Sequence, residues 1–496
     1  MKKFLRVLYR FILFLPGLAV QLFFYFLLFS WLKDYAVIVW AVTGVYQLSS
    51  LVYIINKREE ANYKVLWAIC MLLLPFVGSW LYLLAGNHKT SRPIEKRLRK
   101  NKQPFVAKNL ILDSNSTTNR TLNLIQKVSG MPISPLDDPK FYALGEEMFE
   151  DMKKDLQNAK HFVFIEYFII ENGKFWGEIV EILKQKVKEG VVVKVLFDDI
   201  GSFATYSFKS RRKLKKAGID VAAFNPAARL RFSLNNRDHR KIMVIDNTVA
   251  YSGGINIADE YINHKQRFGH WKDIGFSLRG EAVQTFTYLF TTFWNAYSKN
   301  KVDHATLFTP DSTSTQTTSK VLTYYDSPNN DESISNKFFI DILSTAEKYV
   351  FFYTPYLILN DSLKDAFIQA SERQIDVRII IPKTPDKKHV YMLTLRNAEE
   401  LSKYGVKVFL YEKGFIHAKA AIVDDRLCSI GTVNLDFRSL FLHYENNSIF
   451  DDQKMLTALK EDFVQTQSTS TLFVPKKRNI FVRIYRSLIN IFSPLL

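Results

Sequence analysis

The spacing His-x-Lys-x4-Asp occurs twice in this chain, as His239, Lys241, Asp246 and as His417, Lys419, Asp424. The two sets stand at one constant offset of 178 residues (417 less 239, 419 less 241, 424 less 246), and Gly253 and Asn256 recur at that offset as Gly431 and Asn434. Five matched positions in one register mean that a structural unit has been duplicated, so the chain must fold as two related halves. The surroundings repeat as well. A strand-like run at 161–170, helical periodicity at 177–188 and a buried-strand pattern at 191–197 return in the same order at 349–358, 362–373 and 377–381. Runs of β-branched and aromatic residues alternating with amphipathic helices predict an α/β fold used twice.

Each motif reads as a strand, a turn and a second strand. On an extended segment positions i and i+2 face one side, so His239 projects with Lys241, and His417 with Lys419. An imidazole beside a fixed cation suits phosphodiester chemistry. One neutral imidazole can attack phosphorus to give a phosphohistidine, and a second, protonated, can release the departing oxygen. Two lysines with the amides of Asn256 and Asn434 then stabilise the non-bridging oxygens. One motif supplies half of this machinery, so the two halves are expected to meet face to face in one active site. The lysines neutralise the phosphate charge, and neither a metal nor any other cofactor is expected. The two cysteines, Cys70 and Cys428, have no disulfide or zinc spacing.

The first ninety residues differ from the rest. Apolar stretches at 11–32, 35–55 and 65–85 each approach the ~20 residues that cross a bilayer. They are expected to be retained transmembrane helices rather than a cleaved signal, since no small-residue cleavage pattern follows the first. Basic clusters flank the set, at Lys2, Lys3, Arg6 and Arg10 and again at 89–102. Both would favour the cytoplasm, which an odd number of spans forbids. Pro16 splits the first stretch, leaving 6–15 as a basic amphipathic piece suited to the interface. The catalytic region is placed in the cytoplasm. Lys and Arg outnumber Asp and Glu by 67 to 49, a net charge of +18, so an anionic partner is expected.

The sequences Phe224-Asn-Pro226, 236–241, 253–261 (GGINIADEY) and Trp271-Lys-Asp273, with the membrane segments and the duplicated body, resemble the bacterial cardiolipin synthases of the phospholipase D superfamily over essentially the whole chain. The resemblance implies two pseudo-symmetric phospholipase D-like α/β sandwich domains sharing one active site behind N-terminal transmembrane helices. It implies an enzyme of the bacterial cell membrane that moves the phosphatidyl group of one phosphatidylglycerol to the glycerol of another, giving cardiolipin and glycerol. It further implies that His239 is the nucleophile and His417 the acid, that Asp246 and Asp424 partly brace the fold, and that later carboxylates orient the histidines: Asp273 for His239 and Glu445 for His417. His443 stands before Tyr444 and Glu445 where the family more often has Asn, and Gly431-Thr432 departs from Gly253-Gly254. Water or another alcohol as acceptor, a nuclease and a non-catalytic lipid-binding scaffold are the alternative readings. The membrane segments weigh against nucleic acid as the partner.

The expected organisation is a membrane anchor at 1–90, a basic connector at 91–135, a first domain at 136–308, a Ser/Thr-rich linker at 309–320, a second domain at 321–474 and a basic amphipathic C-terminal helix at 475–496 lying on the membrane. Asp198 and Asp199, after a strand, read as turn residues more than cleft residues. The basic run 209–216 (KSRRKLKK) is either a solvated helix face or a contact with lipid headgroups.

Overall fold

The structure is a computed structural model, and it describes residues 18–27, 30, 33–57, 59–82, 86, 89, 92–101, 109–226, 235–303, 307, 318–475, 479–491 and 493. The 6–15 amphipathic piece and most of the 309–320 linker lie outside the described residues. The chain forms two compact units. One holds the N-terminal apolar helices and the C-terminal helix; the other is a large α/β body with both motifs.

In the body, the first half builds a seven-stranded sheet in the order Asp137–Tyr142, Gly275–Arg279, Val249–Gly253, Lys241–Ile245, Phe162–Tyr167, Val192–Asp198, Asp220–Phe224. The last three strands run parallel, joined by the crossover helices Lys174–Lys188 and Phe208–Lys216. The second half repeats the plan within a nine-stranded sheet: Ile133–Pro135, Lys320–Asp326, Glu445–Asp451, Leu427–Gly431, Ala420–Val423, Tyr349–Tyr353, Asp376–Pro382, Lys407–Tyr411, Ser470–Leu472. Its parallel strands are joined by helices Asp361–Glu372 and Lys388–Ser402. Strands such as Phe162–Tyr167 and Tyr349–Tyr353 are buried at every residue, because helices or the other half cover both sheet faces. One hydrophobic core runs through both halves, with Phe276 against Phe450 (ring centroids 5.0 Å apart) and Phe224 against Tyr444 (5.5 Å).

The motif aspartates take the same structural role in each copy. Asp246 accepts the backbone N–H groups of Lys160, His161 and Phe162 at 2.6, 2.8 and 2.7 Å, and Asp424 those of Glu347, Lys348 and Tyr349, each at 2.8 Å. Each aspartate caps the entry to the neighbouring strand from a left-handed turn, with φ 52° and 49°. Strand Lys241–Ile245 separates Asp246 from Lys241. At ~3.3 Å per residue that is more than 15 Å, so Asp246 and, by the same layout, Asp424 stand at the far end of the strand from the histidines. Their grouping with the catalytic residues is therefore corrected: they brace the fold.

In the other unit, Ala36–Ile55 is a 20-residue apolar helix, about 30 Å long, which matches the hydrocarbon thickness of a bilayer. Among the described residues it is the one helix long and apolar enough to cross. The 65–85 stretch is interrupted: helix Ala61–Leu73 stops, and Pro75–Leu81 starts a second short helix. Pro75 has no N–H to continue the ladder and sits comfortably at a first helical turn. The C-terminal helix Ile480–Ile491 exposes Ile480, Phe481, Ile484 and Tyr485 and buries Arg486.

Replacing Asp246 or Asp424 by Ala leaves three backbone donors without their shared acceptor and is expected to cost about 2–4 kcal/mol of stability. Denaturant unfolding should show that loss, while specific activity of the folded fraction is retained.

Candidate active site

The site is assembled where the halves exchange short strands. Gly414–Ile416, leading into the second motif, pairs in parallel with His270–Lys272 of the first half, and the His417 N–H donates to the Lys272 carbonyl at 2.7 Å. Symmetrically, Asp238 bridges Tyr444: the His239 N–H donates to the Tyr444 carbonyl at 2.9 Å, and the Tyr444 N–H to the Arg237 carbonyl at 2.8 Å. The residue after each of these acceptors carries a carboxylate. Glu445 therefore meets His239 Nδ1 at 2.8 Å, and Asp273 meets His417 Nδ1 at 2.6 Å.

This corrects the expected pairing, in which each carboxylate oriented the histidine of its own half. The partners are crossed because each carboxylate-bearing strand lies beside the other half's motif. Both carboxylates are fully buried and both histidines nearly so, at 7% exposure. With Nδ1 held, Nε2 is the nitrogen left for chemistry in each ring.

Both lysines point back to their histidines, as the two-residue spacing predicts. Lys241 Nζ donates to the His239 carbonyl, and Lys419 Nζ donates to the His417 carbonyl while lying 2.8 Å from His417 Nδ1. Burial dominates the electrostatics. It pulls Lys241 down to about 8 and Lys419 down to about 7, and pushes Asp273 up to about 7. Both imidazoles are held well below their ordinary value, first by burial and then by the neighbouring cations, with Lys241 and Lys419 foremost and the Lys387 charge acting on both rings. Four nitrogen bases thus converge at a place suited to an anion.

The asparagines are engaged with the protein. Asn256 accepts the Ile169 N–H at 3.1 Å and donates to the Tyr261 hydroxyl at 2.7 Å, fixing a ring whose centroid is 5.4 Å from that of His417. Asn434 donates to Asp436 at 3.0 Å. Each amide nitrogen keeps a second hydrogen beyond these bonds.

The sequence departures have local explanations. A side chain at Gly254 would collide with the Asp273 carboxylate, whereas Thr432, at the matching position, donates its hydroxyl to the longer Glu445. Trp271 stacks near His417 (5.4 Å) and His443 near His239 (5.5 Å), each two residues before the orienting carboxylate. An offset of 172 (443 less 271, 445 less 273) relates the two carboxylates as the expected counterparts but does not say which half's histidine each one holds. Among the described residues, His239, His443 and Glu445 form the group whose ligand atoms, within 4.8 Å of one another, could reach a metal. Arg438 donates to His443 Nε2 at 3.4 Å, which leaves the proton on Nδ1, 3.5 Å from Glu445. Within the group the hydrogen bond is that between His239 Nδ1 and Glu445, at 2.8 Å.

Behind the first motif lies a buried ionic layer. Arg240 pairs with Glu166 and Asp238 and covers the Phe293 ring at 3.6 Å. Asp198 accepts the N–H groups of Ile200, Gly201 and Asp238 and pairs with Arg237, the turn role expected of it. Asp199 pairs with Arg211. Sequence reasoning missed Phe168, whose ring lies 4.9 Å from that of His239, and Lys387. Neither lies inside a motif; the signal was their position just beyond the C-terminal ends of parallel strands, where α/β sheets bind ligands.

A duplicated α/β body with one His-Lys pair from each half defines the phospholipase D-like class. The family described as "Cardiolipin synthase, PLD-like domain" matches residues 152–269 and 339–466, and a phospholipase D-nuclease N-terminal family matches 47–87. A cardiolipin synthase of Halalkalibacterium halodurans is 32% identical over 90% of this chain and 91% of its own length. One of Staphylococcus aureus is 30% identical over 90% and 94%. The crystal structure of phosphatidylserine synthase from Haemophilus influenzae shares the fold at TM-score 0.59 and 16% identity, covering 77% of this chain and all of that one. The chain belongs to the cardiolipin synthase family of the phospholipase D superfamily.

The crossed arrangement predicts which residues are coupled. In a double-mutant cycle on unfolding free energy, His239→Gln with Glu445→Gln should show a coupling of about 0.5–3 kcal/mol, and His239→Gln with Asp273→Asn much less. The converse is expected for His417.

Proposed function

We propose that this protein is a cardiolipin synthase, a phosphatidyltransferase that uses two molecules of phosphatidylglycerol and makes cardiolipin and glycerol. The observation that carries the mechanism is the pair of buried imidazoles, each gripped at Nδ1 by a carboxylate of the opposite half and flanked by a lysine. Full-length similarity to bacterial cardiolipin synthases supports the substrate.

In the first step His239 Nε2 attacks phosphorus, the bond from phosphorus to the headgroup oxygen breaks, and His417 Nε2 gives its proton to the leaving glycerol. The His417–Asp273 pair is suited to hold that proton, because a carboxyl raised to about 7 shares it with the imidazole at neutral pH. Lys241, Lys419, Asn256 and Asn434 face the charge on the non-bridging oxygens. In the second step His417 removes the proton from a headgroup hydroxyl of another phosphatidylglycerol. That oxygen attacks phosphorus, the P–N bond to His239 breaks, and both histidines return to their starting states. Glu445 stabilises the cationic phosphoimidazole in between. The protein's own cations perform the neutralisation that a metal performs elsewhere.

The membrane reading rests on the apolar helix Ala36–Ile55 and on the family match at 47–87. It describes a multi-pass anchor in the bacterial cell membrane, with the Ala61–Leu73 and Pro75–Leu81 pair as a further membrane element and the catalytic body on the cytoplasmic side.

Purified protein given phosphatidylglycerol alone should yield cardiolipin and glycerol by mass spectrometry, and folded His239→Ala and His417→Ala should yield neither. Phosphatidic acid as the sole lipid product would make the enzyme a hydrolase instead. The pH profile carries a sign. Free His239 sits well below its ordinary value of 6.5, so the acid limb of kcat/KM, where the nucleophile becomes protonated, should fall below pH 6.5. Lys241→Gln removes a neighbouring cation, lets His239 bind its proton more tightly and should move that limb upward.

A further inference from the structure

The reaction brings two anionic lipids to one site, and the buried lysines account for only one phosphate. The acceptor arrives with its own phosphodiester, separated from its attacking hydroxyl by no more than a three-carbon glycerol. A second anion must therefore be held close to the first yet apart from it. Lys241 and Lys419, buried and tied to the histidine carbonyls, belong to the reacting phosphorus.

Lys387 has the position the second phosphate needs. It ends the loop that follows strand Asp376–Pro382 and immediately precedes helix Lys388–Ser402, on the C-terminal edge of the parallel strands. Its side chain is exposed, and among the described residues it makes no ion pair. Its ammonium lies over the Tyr356 ring at 5.0 Å, which fixes its direction. The Tyr356 hydroxyl donates to Asp386 at 2.6 Å, so the nearest carboxylate of the loop is occupied by the tyrosine. Tyr356 packs near Phe415 (6.4 Å), and Phe415 near His417 (6.1 Å), which places the cation on the His417 side of the cleft. Its charge is felt by both catalytic imidazoles and by Asp436 beside Asn434. It is thus an exposed cation within electrostatic reach of the reaction centre and outside its buried core.

From this placement we infer that Lys387 is the binding residue for the phosphodiester of the acceptor phospholipid, holding the second headgroup so that its hydroxyl enters beside His417, the base of the second step. The inference rests on the proposed lipid-to-lipid transfer. Lys387 confers acceptor specificity: it favours an anionic phospholipid over water once the phosphatidyl-enzyme has formed.

The test is product partition by the full-length enzyme in phosphatidylglycerol vesicles, with glycerol release reporting the first step and the ratio of cardiolipin to phosphatidic acid reporting the second. Lys387→Gln should lower that ratio by about fivefold, the effect of one cation beside anionic lipid. Lys387→Arg should restore the ratio. Lys388→Gln, which removes a charge from the next residue, should change it little. An unchanged ratio in Lys387→Gln, a parallel fall in both products, or an equal effect of Lys388→Gln would overturn the assignment. If the unsubstituted enzyme made only phosphatidic acid, the lipid-transfer reading itself would fail, and that outcome is separate from the other three.

Discussion

Two backbone hydrogen bonds organise everything around the site: His239 N–H to the Tyr444 carbonyl and His417 N–H to the Lys272 carbonyl. Each joins a motif of one half to a strand of the other, and each places the next residue's carboxylate against the imidazole it serves. Neither half alone therefore has an oriented histidine. Docking of the halves, driven by the shared apolar core, is also the event that completes the catalytic groups. A rigid junction of this kind sets the histidine positions by main-chain geometry, which is more exact than contacts between flexible side chains.

The buried charges make that junction electrostatically demanding. Two carboxylates, two lysines and two imidazoles share a region from which water is almost wholly excluded, and isolated ions there would cost several kcal/mol each. The values of Lys241, Lys419 and Asp273 are accordingly drawn toward neutrality. A phosphodiester anion relieves the crowding of cations. Its binding supplies the missing negative charge, and the same lysines then stabilise the reaction's developing charge without reorganising.

The two-fold symmetry is approximate where function needs a difference. Asp273 is short and approaches Gly254, while Glu445 is longer and is steadied by Thr432 and by His443. Trp271 backs one imidazole and a histidine the other. At the strand-to-helix connections one half pairs Asp199 of the loop with Arg211 of the following helix, while the other leaves Lys387 exposed. A duplicated scaffold thus supplies two unequal histidines, as a two-step transfer with one nucleophile and one acid requires.

Much of this was written in local sequence. The offset of 178 determined the duplication, the alternation of strand and helix patterns determined the α/β class, and the i, i+2 spacing determined that each lysine stands beside its histidine, because these are properties of a single extended segment. The chain by itself also contained Pro75, which breaks the third apolar stretch. Tertiary structure alone decided the rest. Which carboxylate holds which histidine depends on strand exchange between segments 144 and 206 residues apart in the chain, and no short-range pattern encodes that choice. The demotion of Asp246 and Asp424 to braces followed from the length of a strand, and the placement of Lys387 on the His417 side followed from the packing of Tyr356 on Phe415. Motif spacing fixes chemistry within one strand; the partnership between strands is fixed by the packing that brings them together.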